Sequence, residues 1–169
     1  VVVDHGWTTA ATRAGRRAAV QVKELGLDPV ELVTADPGRD GGPEAAARTA
    51  RYAALDDAAN RHSASAVLLG HTLDDQAETV LLNLLRGSAA AGLAAMPVRH
   101  GTVVRPLLSL RRRDTLEICA RLGFAPVVDP MNAEPRYRRV WLRREVIPAL
   151  EAGAAVAHIH VREPETGRP

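Results

Sequence analysis

Ala66-Val67-Leu68-Leu69-Gly70-His71-Thr72-Leu73-Asp74-Asp75-Gln76-Ala77-Glu78-Thr79-Val80-Leu81-Leu82-Asn83-Leu84-Leu85-Arg86-Gly87 is the stretch that decides the fold. Four apolar residues read as a buried strand, Gly70-His71-Thr72 as the loop it delivers, and the segment from about Asp74 to Arg86 as a helix ended by Gly87-Ser88. On that helix Asp75 and Glu78 are three apart and share a face, with Gln76 and Thr79 beside them. Ala77, Leu81, Leu84 and Leu85 are expected to be its packing side. Upstream the same unit repeats. Val1–Val3 reads as a strand ending at Asp4-His5-Gly6, followed by a helix from Thr9 to Leu25, and Val30–Thr34 as a second strand. Pro43 is placed to open a helix lasting to about Arg61, with a small-residue stripe of Ala46, Ala50, Ala53, Ala54 and Ala58. Strand and helix in alternation predict an α/β fold, a Rossmann-like parallel sheet with helices on both faces. Ligands of such sheets sit beyond the carboxyl ends of the strands. Downstream the pattern loosens: a strand over Val103–Leu108 interrupted by Pro106, a helix over Arg111–Leu122, an extended run Phe124–Val128, and a last helix over Val140–Leu150 strained at its end by Pro148.

The 169 residues are one domain's length, and 3% aromatic content with 30 alanines leaves Leu, Val and Ala to build the core. No apolar run approaches the 18 residues a membrane span needs. Cys119 is the only cysteine, which excludes an internal disulfide and a thiolate metal site and fits a cytoplasmic protein. The net charge of +2 is unevenly spread: residues 1–85 hold 8 basic and 12 acidic side chains, whereas residues 86–144 hold 12 arginines against 4 acids. With 21 of 22 basic residues being Arg, a phosphate-rich partner is one reading and a solvated surface is the other. Acids in a first helical turn favour the helix dipole, which accounts for Asp74 and part of Asp75. A His, two Asp, a Gln and a Glu within eight residues at a strand-to-helix junction are more than that. Such carboxylates can position an amine, hold Mg²⁺ on a nucleotide, or accept a proton.

The string resembles the second signature of the tRNA(Ile)-lysidine synthases, members of the PP-loop (N-type ATP pyrophosphatase) superfamily. Further blocks follow in the family's order: Val3-Asp4-His5-Gly6; Gly42 to Arg48 with Arg51-Tyr52; Arg86-Gly87-Ser88 with Gly92 to Met96; Arg105-Pro106-Leu107-Leu108; and Asp129-Pro130-Met131-Asn132 through Tyr137-Arg138-Arg139 to Leu142-Arg143-Arg144 and Pro148. The resemblance implies an adenine nucleotide alpha-hydrolase-like sheet and a ligase. ATP activates C2 of the wobble cytidine of tRNA(Ile) with release of pyrophosphate, and the amine of free lysine displaces AMP. Asp75 and Glu78 match the family's lysine- and cytidine-handling acids, Arg51 an Arg linked to phosphate and intermediate, and Arg143 one of the later basic motif. Asp4, His5, His71, Asp74, Arg86 and Arg139 fall on the nucleotide- and substrate-binding side. ATP and Mg²⁺ are the implied cofactors; tRNA(Ile) and free lysine are the implied partners, with no membrane, and a homodimer is compatible with the sequence.

Two departures qualify the match. The family's Ser-Gly-Gly-x-Asp-Ser phosphate loop precedes the Val-Asp-His-Gly strand and does not occur in these residues, so residues 1–151 read as a catalytic domain incomplete at its N-terminus and inactive alone. Residues 152–169 read as a foreign tail resembling the beta-keto acid cleavage enzymes. There His158 and His160, two apart, share a strand face, a candidate zinc pair lacking a third ligand. Other readings are another PP-loop tRNA-modifying ATPase, a catalytically dead tRNA-binding remnant, and a keto-acid-cleaving zinc protein carried by the tail alone.

Overall fold

The computed structural model describes residues 1–4, 8–36, 43–89, 93–126 and 137–157. His5, His158 and His160, and all but the first three residues of the Phe124–Val128 run, lie outside them. Strand β1 (Val2–Asp4) pairs in parallel with β2 (Leu32–Thr34), Val3 opposite Val33. The connecting helix α1 (Thr9–Glu24) starts where Thr8 Oγ1 accepts from the Ala11 amide at 3.0 Å, and it ends before Gly26, whose φ of +79° suits glycine. Gly15 brings α1 close to the sheet: a Cβ there would lie 3.5 Å from the Leu32 side chain and 3.7 Å from that of Val2.

Helix α2 (Pro43–Arg61) touches both β1 and β3 (Val67–Leu68). Ala46, Ala47, Ala54 and Ala58 are buried, as much of the alanine stripe predicts, whereas Ala53 is exposed because burial follows the four-residue spacing through 46, 54 and 58. At the far end Arg61 and His62 both meet the Glu31 carboxylate beside β2, and Arg61 first, then His62, holds that carboxyl below its usual pKa.

Strand β3 leads into α3 (Leu73–Leu85) and pairs in parallel with β5 (Val103–Val104), which also takes β4 (Arg99–His100) antiparallel across the Gly101 turn. The parallel pairing is present, but in two separate sheets, β1-β2 and β3-β5-β4; among the described residues β1 and β3 each keep one edge without a strand partner. The expected strand over Val103–Leu108 stops at Val104 because the chain turns at Pro106, which has no N–H for a ladder.

The last helices are α4 (Arg112–Arg121), α5 (Arg138–Trp141), a π-helical turn (Leu142–Val146) and α6 (Ile147–Ala157). The final helix thus passes Pro148 and Leu150 rather than ending there. The irregularity lies before the proline, where the Ile147 amide reaches back five residues to the Leu142 carbonyl. Pro148 has no N–H to offer residue 144 and its ring crowds that carbonyl, so a wide turn relieves the clash. No described helix is long and apolar enough to cross a membrane.

The core also differs from the pattern in α3. Glu78 and Leu82 are buried, while Leu84 and Leu85 are 56% and 54% exposed. The inward face is Asp75, Glu78 and Leu82, at spacings of three and four, against α5 and the π turn, where Val140 and Leu142 are buried.

Candidate active site

The site is built where α3 starts. Thr72 is the cap residue. Asp75 turns back so that its Oδ2 accepts from the Thr72 amide at 2.8 Å and the Thr72 hydroxyl at 2.9 Å. This fixes the rotamer and leaves Oδ1 to accept from an Arg112 guanidinium nitrogen at 3.1 Å. Asp74, its neighbour, points elsewhere: its Oδ2 accepts from the Arg112 backbone amide at 2.7 Å. With the Leu73 amide donating to the Leu110 carbonyl at 2.8 Å, Asp74 joins the N-termini of α3 and α4. The carboxylate of Asp114 does the same within α4, accepting from the Arg111 amide.

One turn on, Glu78 is fully buried. Arg143 Nε donates to its Oε1 at 2.8 Å, Arg139 to its Oε2 at 3.3 Å, and Arg112 stands 3.8 Å from Oε1. A buried carboxylate is tolerable only when such donors replace its water. Arg139 and Arg143, four apart, project from one face of the α5 and π-turn rod. Arg112 is the only side chain that contacts both Asp75 and Glu78 among the described ion pairs. In the sequence it sits inside Arg111-Arg112-Arg113, which reads as a solvated helix start; only the contact between α3 and α4 singles it out. Arg111, by contrast, reaches Glu151 at 2.7 Å in an exposed pair.

Gln76, on the adjoining face, holds the following loop with both ends of its amide, donating to the Met96 carbonyl at 2.8 Å and accepting from the Met96 amide at 2.7 Å. Gln76→Ala leaves both backbone groups without a partner in a half-buried place and is expected to lower the unfolding free energy by about 1–3 kcal/mol in urea titration. An unchanged midpoint would show that water replaces the amide.

His71 follows β3. Burial pushes its pKa below the ordinary imidazole value; Asp75 opposes this, and the charges of Arg105, Arg48 and Arg51 add to it. A lowered folded pKa means that the unfolded chain takes up the proton first. The stability tied to neutral His71 is therefore complete above pH 6.5 and is lost as pH falls from there through the folded pKa. Unfolding midpoints of the wild type and His71→Gln, followed from pH 8 to 5, are expected to converge below pH 6.5; parallel curves would exclude a role for His71.

Arg51, on α2, has its guanidinium pKa lowered by burial first and then by Arg48, with Arg139 adding to the effect, which sets it within electrostatic reach of the cluster. Asp4 is buried at the carboxyl end of β1, in the other sheet. Arg86 stands at the far end of α3, about 16 Å along the helix axis from Asp75 at 1.5 Å per residue. The structure thus brings together Asp75, Glu78, Arg139, Arg143 and Arg112, sets His71 and Arg51 beside them, gives Asp74 to the helix junction, and leaves Arg86 apart. Sequence reading missed the places of Arg112 and of the buried Arg105. Trp141, in the basic motif, is 45% exposed between the buried Val140 and Leu142.

Comparison with known proteins gives the arrangement a context. A tRNA(Ile)-lysidine synthase of Thermobifida fusca is 52% identical over 151 residues, 89% of this chain and 47% of the relative. One of Streptomyces coelicolor is 51% identical over 154 residues, 89% of this chain and 44% of the relative. The chain spans about half the length of these curated relatives. The U34-tRNA thiolase NcsA from Methanococcus maripaludis, solved with its [4Fe-4S] cluster, shares the fold with a TM-score of 0.59 at 18% identity, covering 94% of this chain and 61% of that one. A profile of the beta-keto acid cleavage enzymes matches residues 141–169. The profile of the PP-loop domain matches residues 1–150, and with the parallel strands that deliver these acids to an α/β site, it shows that the chain belongs to the PP-loop domain family.

Proposed function

We propose that this chain carries the lysine-transfer part of a tRNA(Ile)-lysidine synthase, acting on the wobble cytidine of tRNA(Ile) in the cytoplasm. The observation that carries the reading is the identity of 52% and 51% to two synthases over a segment that includes Asp75, Glu78, Arg139 and Arg143. Residues 1–151 are assigned to this catalytic unit and 152–169 to a separate tail, although α6 runs across that boundary to Ala157.

Asp75 is about one-fifth exposed as a side chain and anchored through Oδ2; its Oδ1, which meets Arg112 at 3.1 Å, exchanges that guanidinium for the ammonium of lysine and then takes its proton as the amine attacks. Glu78 is closed to solvent and saturated by guanidinium donors. Its part is to hold Arg143 and Arg139 in position, so that their outer N–H groups face the charge developing on the activated base. Bound ATP supplies the chemistry that turns the cytidine oxygen into a leaving group. Arg48 and Arg51 fit an anionic group of that kind, because neither has a carboxylate partner among the described residues. Mg²⁺ finds no such fit: no group of three His, Cys, Asp or Glu converges among the described residues, and Asp75 and Glu78 are both engaged by arginine. A Mg²⁺ carried by phosphate oxygens and water needs few protein ligands.

The test is a chimera in which residues 1–151 replace the matching segment of the Thermobifida fusca synthase, assayed with ATP, lysine and a tRNA(Ile) transcript. Lysidine in the digested tRNA is the expected product. A folded chimera that binds the tRNA and forms none would support the RNA-binding alternative.

A further inference from the structure

The rod formed by α5 and the π turn has two faces. Arg139 and Arg143 reach inward to Glu78, and the buried Val140 and Leu142 on either side of Trp141 fix that orientation. Arg138, Trp141, Arg144 and Glu145, at spacings of three and four, are all exposed and make up the outer face. Trp141 is the only exposed aromatic residue among the described ones, 45% open, while Tyr52, Phe124 and Tyr137 are half-buried. Its neighbours are cationic. Neither Arg138 nor Arg144 pairs with a carboxylate among the described residues, in contrast to Arg111, Arg112, Arg121, Arg139 and Arg143, and Glu145 is the one acid of the four outer residues. The helical rise sets Arg138 and Arg144 about 9 Å apart along the axis with the indole between them.

We infer that Trp141, flanked by Arg138 and Arg144, is a stacking platform for an unpaired base of the tRNA anticodon loop, with the two guanidinium groups on the phosphates to either side of that base. An unpaired base offers its face to an indole; inside a duplex that face is covered by the neighbouring bases. Aromatic stacking beside arginines holds single strands without reading their sequence. A solvated helix face accounts for the arginines but gains nothing from an indole between them. The reacting base belongs to the inner face, a helix diameter of about 10–12 Å away, so the base held by Trp141 is another one of the same loop. Trp141 is thus a positioning residue that touches no reacting atom. The inference rests on the reading proposed above for the identity of the RNA, but the binding needs neither ATP nor lysine.

The probe is the anticodon stem–loop of tRNA(Ile), titrated into the 169-residue chain carrying Trp7→Phe, in which Trp141 is the only tryptophan left. The fluorescence is expected to be quenched by the stem–loop and not by the same stem closed as a blunt duplex. Trp141→Ala is expected to weaken binding about 5–150-fold, the range for one base on an aromatic ring, and Trp141→Phe to stay within a few-fold, both with the urea midpoint of the parent. Arg138→Gln and Arg144→Gln should each lower the slope of log Kd against log salt by about 0.7, and Arg17→Gln, exposed on α1, should leave it unchanged. Absence of binding, unquenched fluorescence at saturating stem–loop, equal quenching by the duplex, or Trp141→Ala binding within twofold of the parent overturns the proposal. So does a dimer in sedimentation that Trp141→Ala dissociates, which would assign the indole to a second copy of the chain. In the chimera, Trp141→Ala is expected to raise KM for the tRNA and to keep kcat. Lysidine formation with KM unmoved by Trp141→Ala removes the platform and leaves the reaction, whereas quenching without lysidine removes the reaction and leaves the platform.

Discussion

Glu78→Gln is expected to destabilise the chain by about 3–5 kcal/mol, the range for breaking a buried ion pair from one side. Glu78 is fully buried, and Arg143, Arg139 and Arg112 converge on it with side chains 31%, 31% and 33% exposed. Glutamine keeps the shape but replaces one acceptor oxygen by an N–H₂ group that faces other donors, so at least one guanidinium loses its partner. The arginines are partly wet and can turn to water; the position of residue 78 cannot. Arg143→Gln is therefore expected to cost less, about 1.5–3 kcal/mol, because Arg139 still serves the carboxylate. Since a domain of this kind has only about 5–15 kcal/mol in total, the first variant should show a greatly reduced urea midpoint and the second a moderate one. Combining them should recover part of the loss, a coupling of about 0.5–3 kcal/mol between residues in contact. Equal costs for the two single variants, or strict additivity, would mean that Glu78 is not the centre that the arginines share.

How much of this was legible beforehand depends on the range over which each residue acts. Strand, loop and helix at residues 66–86 were readable because period and caps are local, and α2 followed its proline and alanines in the same way. Asp75 and Glu78 stood out because three residues on a helix always share a face. Their different environments did not, since these depend on α4 and α5, whose arginines lie 37 and 61 residues away in sequence. The outward turn of Leu84 and Leu85 has the same origin. A leucine-rich end looks like a packing face, but the contact that matters is with the π turn, and it passes through Glu78 and Leu82. Nor could hydrophobic periodicity find Arg105, because a buried guanidinium violates the pattern that periodicity measures; such violations mark sites. The separation into two sheets was equally hidden, because strands of two or three residues carry too little pattern to specify their neighbours.

Asp74 and Asp75 are adjacent and chemically identical, and their substitutions are expected to separate completely. In the chimera described above, Asp75→Asn should reduce lysidine formation by about 10²–10⁴-fold, the usual contribution of a positioned general base. An asparagine oxygen can still accept from the Thr72 amide and preserve the cap, so the fold should survive. What disappears is the negative charge at Oδ1, which now attracts the Arg112 guanidinium and, in the proposed reaction, the amine of lysine. The loss should appear in the lysine-dependent step, with pyrophosphate release from the first step retained. Asp74→Asn touches no such charge: its partner is the backbone amide of Arg112, which a neutral amide oxygen can also serve. Its expected effect is about 0.5–1.5 kcal/mol of stability, the difference between a charged and a neutral acceptor at a helix N-terminus, with turnover within a few-fold of wild type. Equal losses of turnover for both variants would place the chemistry in the helix junction as a whole, and a Asp75→Asn enzyme that still transfers lysine at full rate would remove Asp75 from the reaction.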